Sequence, residues 1–163
     1  MMKKLPDRVT LRLREYDYKS NGVYFVTVCT DDRQSILCDI LPQTDMFSSV
    51  PTRLTKIGET VDQAIRYIDQ MYDGVSVLDS IIMPNHIHLL IMIDHDNGCE
   101  LSLSTIIGRL KSFTTKRAGR KIWQRSFHDH ILRDGEELQR YYTYLSDNPA
   151  LWALDKYYTE ECA

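Results

Sequence analysis

A chain of 163 residues with 43% hydrophobic and 26% charged residues has the make-up of one globular domain. That composition excludes a disordered, collagen-like or disulfide-scaffold chain, and a core of this size needs no metal or disulfide staple. The net charge of −3 gives no general attraction to nucleic acid, and no apolar run approaches the roughly 18 residues that span a bilayer. The longest, Ile87 to Ile93, stops at Asp94. The basic start, Met1-Met-Lys-Lys-Leu-Pro6, leads into Asp7 and Arg8 with no apolar segment. We therefore expect no signal peptide, a cytoplasmic protein and no membrane partner.

The β-branched and aromatic run Tyr24 to Thr30 follows Asn21-Gly22 and predicts a strand. Residues 39–52 hold two prolines and many polar residues and predict a loop. From Leu54 to Met71 the residues Ile57, Val61, Ala64, Ile65 and Ile68 recur at helical spacing, and Tyr72-Asp-Gly74 ends that helix. Val75 to Met83 and His86 to Asp94 predict a hairpin turning at Pro84-Asn85. Leu103 to Ala118 predicts a helix with the stripe Leu103, Ile106, Ile107, Leu110 and Phe113. Ile122 to Leu132 predicts a strand carrying Trp123 and Phe127. A last helix runs from Glu136 to about Asp147, with Pro149 beyond it. The order predicts an α+β fold of ferredoxin-like (split βαβ) type, an antiparallel sheet with helices on one face plus a C-terminal helix. We expect a single domain over 1–163, with its core at about 8–152 and a tail at 153–163 that is short, acidic and without an assigned role.

The four cysteines, Cys29, Cys38, Cys99 and Cys162, form no C-x-x-C pair and are expected to be reduced. Charge is unevenly placed. Arg109, Lys111, Lys116, Arg117, Arg120 and Lys121 fall in one stretch without an acid, and Arg125, Arg133 and Arg140 follow. Such a patch can steer a phosphate backbone despite the net negative charge; a solvated helix face accounts for it equally well.

In a strand, residues i and i+2 share a face, so His86 and His88 project together. Two neutral imidazoles so placed can share one divalent cation, whereas a bare H-x-H is more commonly two exposed histidines. On the last helix Tyr144 and Asn148 lie one turn apart, with Arg140 and Tyr141 a turn earlier. A phenol and an amide there can present a nucleophile and a third ligand together. Aromatic residues at helical spacing are as readily core, the preferred reading for Tyr141 and Tyr142, and the pattern leaves both roles open for Tyr144.

Four blocks, in order, carry a resemblance: Tyr16-Asp-Tyr-Lys-Ser-Asn-Gly-Val-Tyr-Phe-Val-Thr-Val-Cys-Thr30, Met83-Pro-Asn-His-Ile-His-Leu-Leu90, Ile122-Trp-Gln-Arg-Ser-Phe-His-Asp-His-Ile-Leu-Arg133 and Tyr144-Leu-Ser-Asp-Asn-Pro149. They resemble the insertion-sequence-200-like transposases, in particular the REP-associated tyrosine transposase branch, from about Arg8 to Trp152. The resemblance implies a HUH-type endonuclease and strand transferase acting on single-stranded, hairpin-containing DNA. It implies Tyr144 as nucleophile, forming a covalent 5′-phosphotyrosine, and His86, His88 and Asn148 as ligands of Mg²⁺ or Mn²⁺. Many relatives outside the branch carry glutamine where Asn148 stands, one methylene longer. A tyrosine hydroxyl, with an ordinary pKa of about 10, is a poor nucleophile unaided, and a metal that neutralises charge on the scissile phosphate suits it. The phosphodiester energy kept in the phosphotyrosine permits strand transfer without ATP.

The resemblance further implies that Arg109, Lys111, Lys116, Arg117, Arg120, Lys121, Arg125 and Arg140 contact DNA, positioning the strand rather than specifying its sequence. Trp123, Phe127 or Tyr141 would stack on bases, with core an equal alternative for the first two. His128 and His130 share a strand face, yet a packing or DNA-contact role for Asp129 is favoured over a second metal site. The resemblance leaves both a homodimer and a monomer open for this chain. The rival readings are a non-catalytic single-stranded nucleic-acid-binding module of ferredoxin-like fold, a metal hydrolase without a covalent tyrosine, and an inactive descendant that still binds hairpins.

Overall fold

Strand β1, Gly22–Cys29, is the centre around which the sheet assembles, because its valines and aromatics can be buried on both faces. In this computed structural model the described residues are 21–43 and 49–158. Arg8, the opening part of the first block at 16–20, Cys162 and the acids Glu160 and Glu161 lie outside them.

The hairpin strands are β4, Val75–Met83, and β5, His86–Ile93, and the edge strand β6 is His128–Leu132. The sheet order is β4-β5-β1-β6, antiparallel throughout. This is the α+β, split βαβ arrangement expected from the sequence. Two crossovers complete it. The first contains α1, Lys56–Arg66, and the short α2, Ile68–Met71; the second is α3, Leu103–Ala118. The Thr55 hydroxyl caps α1 by accepting from the Gly58 amide, and Gly58 is required because a Cβ there would lie 2.0 Å from the Leu37 carbonyl oxygen. Ser102 caps α3, which ends at Gly119 with φ +67°.

Alternation along β5 sorts the molecule into two sides. Ile87, Leu89, Ile91 and Ile93 face α1 and α3 and form the main core with Val61, Ile65, Ile106 and Ile107. Each such side chain contributes roughly 1.5–3 kcal/mol by leaving water. His86, His88 and Leu90 face the opposite side. There Leu90 and Phe25 meet Leu145 of the last helix, α4, Gly135–Asp147. A 3₁₀ turn at Trp152–Leu154 follows, and Trp152 and Tyr157 pack beside Met83 and Cys29.

Three expectations need correction. The 39–52 loop contains a two-stranded ribbon, β2 at Cys38–Ile40 paired with β3 at Thr52–Leu54, so Leu54 is in a strand and the helix starts at Lys56. Residues 122–127 are not a strand: Trp123 makes an isolated bridge to Thr30, and β6 begins at His128. Trp123 is core, with its indole N–H donating to the Thr114 hydroxyl, so it offers no face to a base. Cys29, Cys38 and Cys99 are buried thiols, and that of Cys38 donates to the Ile82 carbonyl. Among the described residues no helix is long and apolar enough to cross a membrane.

Candidate metal and nucleophile site

The turn Pro84-Asn85 and the first residues of β5 build the centre of the site. His86 and His88 are buried, and their Nε2 atoms approach to 3.1 Å. The outer nitrogens are held by neighbours. His86 Nδ1 lies 2.9 Å from Asn85 Oδ1, while the Asn85 amide group donates to the Tyr157 carbonyl at 2.7 Å. With that amide orientation Oδ1 can only accept, so His86 carries its proton on Nδ1 and turns a lone pair inward from Nε2. His88 Nδ1 lies 2.8 Å from the Thr27 hydroxyl, its cross-strand neighbour on β1. A hydroxyl accepts or donates, so Thr27 supports either tautomer of His88. Both imidazoles are held neutral. Burial, then the Lys156 and Arg33 cations, pushes His86 down to about 3. Burial, then His86 and Lys156, holds His88 well below the ordinary imidazole range.

The helix α4 brings a phenol to this pair. Asp134 caps it by accepting from the Glu137 amide, and the Glu137 carboxylate accepts from the Arg133 amide and pairs with His130 Nε2 at 2.6 Å. Leu145 anchors the helix against the sheet. Tyr141 then stacks on Phe25 with ring centroids 4.3 Å apart. The Tyr144 ring stands 5.4 Å from the His88 ring and is 39% exposed, facing solvent on one side and imidazole on the other. Asn148 is 3% exposed; its amide group donates to the Tyr144 carbonyl, and its Oδ1 accepts no hydrogen bond. A buried amide oxygen without a donor is costly, and a cation ligand is one group that would satisfy it.

Residues 153–158, read from sequence as part of a tail without a role, close the other side. Asp155, His86 and His88 each offer a ligand atom, all within 4.8 Å of one another. The Tyr157 ring is buried 4.7 Å from the His86 ring. The donor set of two neutral imidazoles, a carboxylate and an amide oxygen fits a divalent cation that takes nitrogen and oxygen ligands. His88, Tyr144, Asn148, Asp155, Lys156 and Arg140 line a cleft of about 670 Å³.

The expected DNA-contacting cations divide. Arg140 lies on this cleft. Arg109, Lys116 and Arg117 are exposed on α3, which packs on the opposite face of the sheet. Arg109 lies over the Tyr72 ring and Arg117 over the Phe113 ring. Lys121 pairs with Asp31 at 2.8 Å, Arg120 reaches the Gln34 side chain, and Arg125 is exposed. The Lys111 ammonium donates to the carbonyls of Gln124, Arg125 and Ser126, so its three N–H groups hold that loop. Asp155, Lys156 and Tyr157 escaped the sequence reading because they reach the histidines only through the return of the chain after α4, and Arg33 because it comes from the turn after β1.

No protein-family model matches the chain. A protein of unassigned function from Haemophilus influenzae (strain Rd) is 27% identical over 176 residues, covering 94% of each chain. A second protein of that organism, provisionally named a REP-associated tyrosine transposase, is 24% identical over 149 residues, covering 82% of this chain and 73% of its own. The structure of a REP-associated tyrosine transposase bound to a REP hairpin is similar at a TM-score of 0.65 and 20% identity, covering 89% of this chain and 76% of that one.

Proposed function

We propose, on the premise that this chain is a relative of the REP-associated tyrosine transposases, that it is a metal-dependent transposase that nicks and rejoins single-stranded, hairpin-containing DNA. The observation that carries this reading is the Tyr144 ring 5.4 Å from His88, at a cleft shared with Asn148 and Asp155. His86, His88 and Asp155, with Asn148 from α4, would hold Mg²⁺ or Mn²⁺. When bound, the ion supplies charge neutralisation at a scissile phosphate.

This chain's residues do the rest. Phe25 and Tyr141 fix the position of the Tyr144 ring against the sheet. The Tyr144 hydroxyl loses its proton to water as its oxygen attacks phosphorus, the bond from phosphorus to the 3′ oxygen breaks, and that oxygen takes a proton from water to leave as a hydroxyl. The product is a 5′-phosphotyrosine, and attack by another 3′-hydroxyl reverses the step. Asn85 and Thr27 keep the two imidazoles oriented throughout. In this reading residues 1–163 act as one catalytic domain, cytoplasmic and nucleoid-associated.

The test is incubation with labelled hairpin-forming single strands of randomised flanks and Mn²⁺, followed by denaturing electrophoresis. The wild type forms a denaturation-resistant protein–DNA adduct and Tyr144→Phe forms none. Retardation in native gels without any adduct would establish a binding module instead, and cleavage that survives Tyr144→Phe a hydrolase.

A further inference from the structure

Two cations that belong to no part of the expected DNA surface meet beside the imidazole pair. Arg33 follows β1 in a 3₁₀ turn at Asp31–Arg33, and its guanidinium carbon lies 5.4 Å from the centre of the Tyr157 ring. The Lys156 ammonium lies 4.9 Å from the same ring centre. Lys156 is also on the cleft that holds Tyr144. Asp155 precedes Lys156 in sequence, and its Oδ1 already accepts from the Tyr157 amide while the carboxylate faces the histidines. Neither Arg33 nor Lys156 has a carboxylate ion pair among those found in the described residues.

The backbone at Arg33 is unusual. Asp32 and Arg33 have φ values of 51° and 55°, two successive non-glycine residues in the left-handed region. The turn keeps this conformation while the Arg33 amide donates to the Thr30 carbonyl. Its outcome is a guanidinium placed over an aromatic ring that packs on His86. Strained positions of this kind concentrate at functional sites. Two fixed positive charges beside a buried neutral imidazole pair favour an anion above it, and a guanidinium and an ammonium each suit phosphate oxygens.

We infer that Arg33 and Lys156 form a phosphate-binding pair that holds single-stranded DNA across Tyr157, over the imidazole pair and toward Tyr144. This rests on the nucleic-acid reading above and names two contacts for it. Lys156 takes the phosphate nearer Tyr144, and Arg33 takes one further along the strand.

The test measures strand binding, so it does not depend on whether Tyr144 is a nucleophile. Tyr144→Phe protein in EDTA is titrated with fluorescent twelve-residue oligothymidylate at a series of salt concentrations. Releasing one single-strand phosphate contact lowers the slope of log affinity against log salt by about 0.7. Lys156→Gln and Arg33→Gln are each expected to bind several-fold more weakly with a slope lower by about that amount. Lys156→Arg is expected to keep the slope, and Lys56→Gln, an exposed change on α1 across the sheet, to alter neither quantity. Because both residues are exposed, circular dichroism of the glutamine variants is expected to match the parent. Unchanged slopes in folded Lys156→Gln and Arg33→Gln would overturn the inference. A drop of the same size in Lys56→Gln would also overturn it, since binding would then be diffuse. Normal slopes in the parent with no adduct from the wild type would instead remove the strand-transfer reading alone.

Discussion

His86 and His88 turn their Nε2 atoms toward each other at 3.1 Å, with each outer nitrogen held by a different partner. Two buried imidazoles at this distance cannot both be charged, and both are held well below the ordinary imidazole range. They are therefore neutral donors at neutral pH, aimed at one point.

Metal binding should follow the donor set. Titration calorimetry with Mn²⁺ is expected to show a loss of at least about 100-fold in His86→Ala or His88→Ala. Asp155→Asn should lose about tenfold, because the amide keeps one oxygen but not its charge. Asn148→Ala should be weaker than wild type by a smaller factor. Equal affinity in Asp155→Asn and the wild type would remove the carboxylate from the site. In the wild type, free Mn²⁺ at about 100 times its dissociation constant should add about 2.7 kcal/mol of stability, and EDTA should abolish the gain.

The Thr27 hydroxyl gives a second, finer prediction. Thr27→Val keeps the shape on β1 but removes the group that orients His88. Partners of metal-bound histidines typically matter by 10–100-fold in affinity, and that range is expected here in the same titration. Thr27→Ser should recover most of it, since the hydroxyl returns.

Acid should unfold the metal-free protein through this pair. The folded-state value of His86, about 3, lies below the unfolded value near 6.5. As pH falls below about 6.5 the unfolded chain takes up a proton that the folded chain refuses. Stability is thus complete above that pH and falls toward pH 3, by up to about 1.4 kcal/mol per unit. Urea midpoints measured from pH 7 to 4 should decline, and His86→Gln should flatten the decline.

Two core-related variants separate structure from DNA contact. Leu145→Ala removes the anchor of α4 and is expected to cost about 2–5 kcal/mol by urea denaturation. Lys111→Met should destabilise by about 2–3 kcal/mol, because three carbonyls lose a charged donor. The same variant should leave the salt dependence of DNA binding unchanged, in contrast to Lys156→Gln.

Much of this arrangement was legible in the residues. The i, i+2 spacing on β5 put both imidazoles on one face, and the helical repeat from Leu103 to Ala118 gave α3 its bounds. What periodicity cannot tell is which side of the sheet a helix takes. The basic run on α3 was legible as charge, but not that the crossover carries the helix to the face that Ile87 and Leu89 occupy. Residues 152–158 were illegible for another reason. They have no repeat or amphipathic pattern, and their place depends on contacts far away in sequence: the packing of Trp152 and Tyr157 beside Cys29 and Met83, and the bond from Asn85 to Tyr157, 72 positions apart. Trp123 failed in the opposite sense. Its aromatic, β-rich surroundings suggested a strand, whereas its position is decided by packing and by Thr114.

The Asn85 side chain holds His86 with one end and the Tyr157 backbone with the other. Any ion on the imidazoles and the seating of the C-terminal segment are thereby coupled equilibria. By thermodynamic reciprocity, the factor by which a docked segment tightens the ion is the factor by which the ion tightens docking. A solution that strips one must loosen the other, and cutting the amide short, as in Asn85→Ala, should leave the two indifferent to each other.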